Sequence, residues 1–125
     1  MIVMRDAEAL CVNALNRDFE TLMPGVEWGT RVPNPRPPAF GRLLLAGGTQ
    51  ETMVTDTPQV IIEGWADDET TALQIVNLGR AILLAQDGLL FGGFVIGAPS
   101  NLPDPSTSQT RYTAMLGIRV RASIA

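Results

Sequence analysis

The stretch that decides the fold is Thr55–Gly88, which reads TDTPQVIIEGWADDETTALQIVNLGRAILLAQDG. It predicts one strand that leads directly into one long helix. The strand covers Gln59–Ala66, because its β-branched and aromatic side chains favour the pleated surface of a sheet. The helix covers Asp67–Gln86, with Asp67 as the N-cap and Gly88 as the left-handed residue that closes it.

The predicted helix carries its apolar residues on one face, because they recur every three or four positions. A helix of this length would be roughly 30 Å long, which is enough to cover one face of a small sheet. The rest of the chain should therefore supply strands beside Gln59–Ala66 and one further helix. The residues of the apolar face are Ala72, Ile75, Val76, Gly79, Ile82 and Leu83.

Periodicity and breakers predict the remaining elements. A first helix is expected over Asp6–Leu22, because apolar residues share one face there and Pro24–Gly25 follow it. Three further strands are expected, over Val26–Val32, Phe40–Ala46 and Leu89–Ile96.

The connections are marked by proline and glycine. The segment Pro33–Pro38 has four prolines in six residues and predicts an extended connector. Gly47–Gln50 predicts a flexible hairpin tip, with Glu51–Val54 as the return. Gly92–Gly93 predicts a bulge within a strand, and Ala98–Gln109 predicts a long loop.

The last strand, Arg111–Arg121, alternates strictly between two kinds of side chain. Because successive residues of a strand point to opposite faces, one face should be buried and the other basic. The predicted buried face carries Tyr112, Ala114, Leu116, Ile118 and Val120.

Composition limits the possible classes of protein. The chain has 125 residues, of which 46% are hydrophobic, and this predicts a single globular domain over residues 1–125. Its net charge is −4, which argues against general nucleic-acid binding. Cys11 is the only cysteine, so an intramolecular disulfide and a thiolate metal cluster are excluded. No stretch predicts a secretion signal or a membrane span.

The sequence offers no catalytic constellation. It has neither histidine nor lysine, so serine and cysteine nucleophiles lack the usual bases. The acidic residues Glu63, Asp67, Asp68 and Glu69 are better explained as one strand residue and three helix-start acids than as a metal site. No catalytic residue, metal site or cofactor is therefore predicted.

Charge is distributed unevenly along the chain. Six of the nine arginines lie in the strands and the proline segment, whereas acidic residues from Glu51 to Glu69 lie in the middle. Two patches of opposite sign would allow head-to-tail contacts between copies, and such contacts form a ring when the rotation closes. The alternative is an ordinary solvated surface with interspersed charges.

Three segments resemble the tail terminator proteins of long-tailed phages, particularly those of actinobacterial hosts. They are TRVPNPRPPAF at residues 30–40, VTDTPQVIIEGWADDETTA at 54–72 and NLPDPSTSQTRYTAMLGIRVRA at 101–122. The family pattern runs R-V-P-x-P-R-P, T-D-x-P, a strand ending in W-A before an acidic helix start, N-L-P-D-P and R-Y-T. Every part is present, and in the same order.

The resemblance implies an α+β fold with a mixed or mainly antiparallel sheet and two helices packed on it. Its order would be α-β-β-β-α-β-β. Terminators form a ring, commonly a hexamer, which caps the tail tube, stops its polymerisation and joins the head-completion or connector proteins. They are not enzymes, and neither a cofactor, a membrane nor a specific nucleic-acid sequence is expected. The implied location is the head-proximal end of the virion tail, after assembly in the host cytoplasm.

Motif positions and charges together suggest an interface. Arg36, Asn101, Asp104 and Arg111 match family positions in polar loops and at a strand start, where they would order the proline-rich loops and contact a neighbouring subunit. The candidate residues for a subunit or tail-tube interface are Arg31, Arg36, Arg42, Glu63, Asp67, Asn101, Asp104, Arg111, Arg119 and Arg121.

Two other functions stay open at this point. One is a neighbouring part of the same machine, namely a head–tail joining or tail-tube protein. The other is a small α+β enzyme or a ligand-binding domain that uses the arginine face for an anionic ligand. Trp65 has two interpretations as well, since it can pack within the chain or anchor an interface.

Overall fold

The computed structural model describes residues 1–50, 52–102 and 109–124. Two helices form in these residues, α1 (Ala7–Leu22) and α2 (Glu69–Leu84). The strands are β1 (Ile2–Val3), β2 (Trp28–Gly29), β3 (Ala39–Gln50), β4 (Thr55–Ala66), β5 (Leu90–Asn101), β6 (Thr110–Arg121) and β7 (Ser123–Ile124).

The main sheet has five strands in the order β2-β3-β4-β6-β5. β2 is parallel to β3, and the other neighbours are antiparallel, so the sheet is mixed. The α+β class and the order of the main elements are therefore as predicted. The additional pair β1–β7 was not predicted, because a strand of two residues carries no periodic signal.

Both helices pack on the same face of the sheet. The buried residues of α2 are the six that the sequence predicted. Four of them, Ile75, Val76, Ile82 and Leu83, form one cluster with residues of α1 and with the alternate residues Leu43, Ile62 and Leu116 of the strands. The two-residue alternation of β6 is thus confirmed, since Ala114, Leu116, Ile118 and Val120 lie in this core.

Both ends of α2 differ from the prediction. The N-cap is Asp68, not Asp67, because the Asp68 backbone is extended and its carboxylate accepts a hydrogen bond from the Thr71 N–H at 2.9 Å. The helix ends at Leu84 with Ala85 as its C-cap. Gly88 does not close it with a left-handed residue; instead, the Gly88 N–H donates to the Leu90 carbonyl at 2.8 Å.

The hairpin of β3 and β4 is longer than predicted. Gly47 and Gly48 have φ values of 98° and 134°, and they form an irregularity within β3, not the tip. The strand continues beyond them, with Thr49 opposite Thr57 and Gln50 opposite Asp56. Because glycine adopts positive φ without steric cost, the chain absorbs the irregularity and keeps pairing.

The bounds of other strands differ as well. The predicted strand Val26–Val32 is reduced to Trp28–Gly29. β4 begins at Thr55, four residues before the predicted start. β5 extends to Asn101, into the predicted loop, and residues 103–108 of that loop lie outside the described residues. The predicted bulge is confirmed, since the register shifts between Phe91 and Phe94.

Candidate assembly surface

Three strands bring one carboxylate and two guanidinium groups together on the face of the sheet opposite the helices. Arg42 on β3 lies opposite Glu63 on β4, and Glu63 in turn lies opposite Thr113 on β6. The Glu63 Oε1 is 3.6 Å from Arg42 Nη1, and its Oε2 is 3.8 Å from Arg111 Nη1. Glu63 is only 5% exposed, so its charge is balanced within the chain.

Trp65 is the centre of the same group. Its ring stacks on Phe40 with a centroid separation of 5.4 Å and an interplanar angle of 15°. The guanidinium carbons of Arg36 and Arg111 each lie 5.1 Å from its centroid, within the range of cation–π attraction. Its indole Nε1 donates to Glu63 Oε1 at 3.2 Å.

We call Arg36, Phe40, Arg42, Glu63, Trp65 and Arg111 the Trp65 cluster. Trp65 is buried, so its interpretation as a packing residue is confirmed, but it packs among arginines on the face away from the helices. Three guanidinium groups meet one carboxylate here, so the cluster has an excess of positive charge. Glu63 therefore does not belong to an exposed acidic patch.

The loops next to the cluster are held by polar contacts. Arg111 Nε donates to the Leu102 carbonyl at 3.1 Å. Gln109 Nε2 donates to the Pro37 carbonyl at 3.0 Å and approaches Asp67 Oδ1 at 3.5 Å. Gln109 is thus a structural residue without a local sequence signal, since only the fold brings it to the proline segment.

The other predicted interface residues lie apart from the cluster. Asn101 Nδ2 approaches Glu69 Oε1 at 3.5 Å, at the start of α2. Arg31 is exposed after β2. Asp104 lies outside the described residues.

Arg119 and Arg121 bind the beginning of β5. Arg119 Nη1 donates to the Gly92 carbonyl, and its guanidinium carbon lies 5.5 Å from the Phe94 ring centroid. Arg121 Nε donates to the Gly88 carbonyl at 3.0 Å. These two arginines stabilise the bulged start of β5 within the same chain.

A groove of ≈ 430 Å³ borders the cluster, with apolar side chains of Leu44, Ile61 and Met115 in its lining and Glu63 and Arg111 at its polar part. It lacks the convergent set of ionisable groups that a catalytic pocket has. Among the described residues, no group of three or more His, Cys, Asp or Glu side chains could hold a metal ion.

Comparison with known proteins gives a structural match. No protein-family model matches the sequence, and no curated protein matches it. Among solved structures, the chain is similar to a chain of "Virion of native gene transfer agent (GTA) particle", with a TM-score of 0.61 and 18% identity. The likeness shows the fold. It covers 94% of this chain and 98% of that chain, so the two share nearly their whole architecture.

Two further properties concern the helices and the cysteine of α1. No helix in the described residues is long and apolar enough to cross a membrane. Burial, and secondly the charge of Glu8, raise the pKa of the Cys11 thiol to about 12. The thiol therefore stays protonated and unreactive in the folded chain.

Proposed function

We propose that this protein is a virion structural protein of a long-tailed phage, namely the tail terminator. It forms a ring, with six copies as the expected number, that caps the tail tube and stops its polymerisation. The same ring provides the joint to the head-completion or connector protein. The observation that carries the proposal is the full-length likeness to a chain of the gene transfer agent virion particle.

The Trp65 cluster connects the sequence resemblance with the structure. Each of the three segments that resemble tail terminators contributes to it: Arg36 from residues 30–40, Trp65 from 54–72 and Arg111 from 101–122. Segments far apart in the chain thus converge on one packed group. Their resemblance is therefore consistent with a shared three-dimensional arrangement and not only with similar strings of residues.

We place the subunit and tail-tube contacts around this cluster. Arg31, Asp67 and Asn101 are exposed and carry charge or amide groups that a neighbour can pair with. The buried Glu63, with Arg42 and Arg111, holds the surface in shape, and Arg119 and Arg121 do the same at β5. Asp104 remains a proposed contact on the basis of the resemblance.

The proposed partners are further copies of this chain, the tail-tube protein and the head-completion or connector protein. The protein would act in the virion, at the head-proximal end of the tail, after assembly in the host cytoplasm. Its role would be non-enzymatic and would need no cofactor. The open, sparsely ionisable groove beside Glu63 and Arg111 is in keeping with this role.

Electron microscopy tests the proposal directly. Purified protein, alone and mixed with polymerising tail-tube protein of the same phage, is viewed end-on. Closed rings and tubes capped at one end are expected, and capping should shorten the tubes. Long tubes formed by this protein alone would instead indicate a tail-tube subunit. Failure to form rings and to bind tube ends would reject the terminator function.

A further inference from the structure

β5 is a long edge strand without a single charged residue. Leu90–Asn101 reads LFGGFVIGAPSN, and β5 pairs with β6 on one side. On its other side, an isolated bridge between Asp87 and Phe91 covers only its beginning. Within the described residues, no strand pairs with the outer side beyond Phe91. Charges, prolines and bulges usually protect such edges from pairing with another strand. β5 has register shifts and one proline, Pro99 near its end, but no charge.

Three consecutive apolar residues on this edge are exposed. Phe94 is 42% exposed, Val95 46% and Ile96 43%. Phe94 and Val95 are consecutive paired residues and point to opposite faces, so their exposure marks an open edge and not one open face. Ile96 lies at the register shift that follows them. A partner that covers them must therefore lie beside β5, in the plane of the sheet.

The opposite edge of the sheet is also partly unpaired. β2 pairs with β3 only at Gly41 and Arg42. Beyond these residues, residues 43–50 of β3 have no outer strand partner in the described part of the chain, and they too lack charge. Leu45 is 48% exposed on this edge.

The directions of the two edges are complementary. β3, β4, β6 and β5 are joined by three antiparallel pairings, so β3 and β5 run in opposite directions. Rotation about an axis along the strands preserves strand direction. The β5 of one copy would therefore lie antiparallel to the β3 of the next, and the alternation would continue from copy to copy. A head-to-tail contact of this kind closes into a ring when the rotation allows it.

We infer that β5 of one subunit pairs with the outer edge of β3 of the next, so that the sheets of neighbouring copies become continuous. The inference rests on the proposed function, since it requires the ring. Backbone hydrogen bonds would fix the geometry of this contact. Burial of Leu45 and of Phe94–Ile96 would add the apolar contribution.

Cysteine cross-linking in the full chain tests this pairing. The variant Val95→Cys carries a thiol on β5, Leu45→Cys carries one on β3, and a short bis-maleimide links them. Ala46→Cys and Thr49→Cys replace Leu45→Cys in parallel, to sample other registers. The natural Cys11 is fully buried and gives little background reaction. The matched control is a double variant that combines Leu45→Cys with Gln74→Cys, and Gln74 lies on the exposed side of α2.

The double variants of β3 and β5 should give a ladder of covalent oligomers that stops at the ring number. The single variants and the Gln74→Cys control should form no covalent oligomers. In a second test, Ile96→Glu should abolish the ring while the monomer melts within a few degrees of the wild type. Leu22→Glu, an exposed apolar position at the end of α1, should keep the ring.

The outcomes separate the two proposals. Rings without cross-links in any β3–β5 pair would overturn the edge pairing and leave the terminator function standing. A covalent dimer from Val95→Cys alone would also overturn it, because β5 would then contact β5 around a twofold axis. If rings form neither alone nor on tube ends, the proposed function fails, and the edge pairing fails with it.

Discussion

Trp65 and Arg111 lie directly opposite each other on β4 and β6, with the Arg111 guanidinium carbon 5.1 Å from the centroid of the indole ring. The same guanidinium group reaches Glu63 and the Leu102 carbonyl. One side chain therefore links the sheet face to the segment after β5. Arg36 lies at the same distance from the ring and links it to the proline segment.

Replacement of Arg111 by alanine should lower the free energy of unfolding by about 2 kcal/mol. It removes a cation–π contact, a hydrogen bond and a partner of the buried Glu63. Urea denaturation measures the change. Arg5→Ala, at an exposed position before α1, is the matched control and should be nearly neutral.

The ring should also respond to these arginines. Arg36→Ala and Arg111→Ala are expected to shift the ring toward monomer, because both order the loops that we place at subunit contacts. Light scattering at several protein concentrations measures the mass. Intact rings in both variants at every concentration would show that the loops around Trp65 do not contribute to assembly.

Glu63→Gln should destabilise the fold although it preserves the shape of the side chain. The neutral amide leaves Arg42 and Arg111 close together without the carboxylate that balances them. We expect a loss of about 2 kcal/mol, which is lower than the usual cost for a fully buried pair because both arginines are partly solvated. Glu20→Gln on the exposed side of α1 is the control, and equal stability of both variants would contradict the expectation.

Gly64→Ala should separate α2 from the sheet. An added Cβ would lie 2.3 Å from the Ala72 carbonyl oxygen and 3.0 Å from the Val76 nitrogen, and both are backbone atoms that cannot rotate away. The loss should be about 3 kcal/mol, as for overpacked cores. Gly88→Ala provides the contrast, because an added Cβ meets nothing within 4 Å there. It should leave the melting temperature unchanged.

Asp68→Ala should lower the melting temperature more than Asp67→Ala does, since Asp68 is the residue that caps α2. The same residue predicts a dependence on pH. Hydrogen bonds from the Thr71 backbone and hydroxyl lower the pKa of Asp68 below its ordinary value of 3.8. The charged Asp68 therefore contributes fully to the stability of the fold above pH 3.8. This contribution is lost as the pH falls through the lower pKa of the folded state.

Thermal melts between pH 2 and pH 6 measure this contribution. The difference in melting temperature between the wild type and Asp68→Ala should shrink as the solution becomes more acidic. A difference that stayed constant down to the lowest pH would show that the Asp68 charge does not contribute to the cap.

Periodic features of this fold were predictable, and long-range ones were not. The buried face of α2 and the alternation of β6 follow from spacing alone; all six predicted residues of α2 are buried, and of the predicted buried face of β6 only Tyr112 is partly buried. The N-cap of α2 is Asp68 and not the predicted Asp67, because two consecutive aspartates are equivalent as local capping signals. Gly47–Gly48 reads locally as a turn, although it is an irregularity in a continuing strand.

The Trp65 cluster shows the same limit for the site. Arg36, Trp65 and Arg111 are far apart in sequence and meet only through the order of the strands. The sequence grouped Glu63 with the acidic residues of the middle segment, because its arginine partners lie on adjacent strands that are distant in sequence. The arginines themselves were identified as candidates, whereas their arrangement around an indole ring was not.

The two tryptophans lie on opposite faces of the sheet, and this gives the protein two built-in optical probes. Trp28 sits in the layer of the helices, edge-on to Phe19 at 5.5 Å, whereas Trp65 lies under arginines on the other side. In a Trp28→Phe variant the emission would come from the arginine layer alone, and in Trp65→Phe from the helix layer alone. Emission spectra of the two variants, recorded while subunits associate, would show on which face of the sheet the environment of the tryptophan changes.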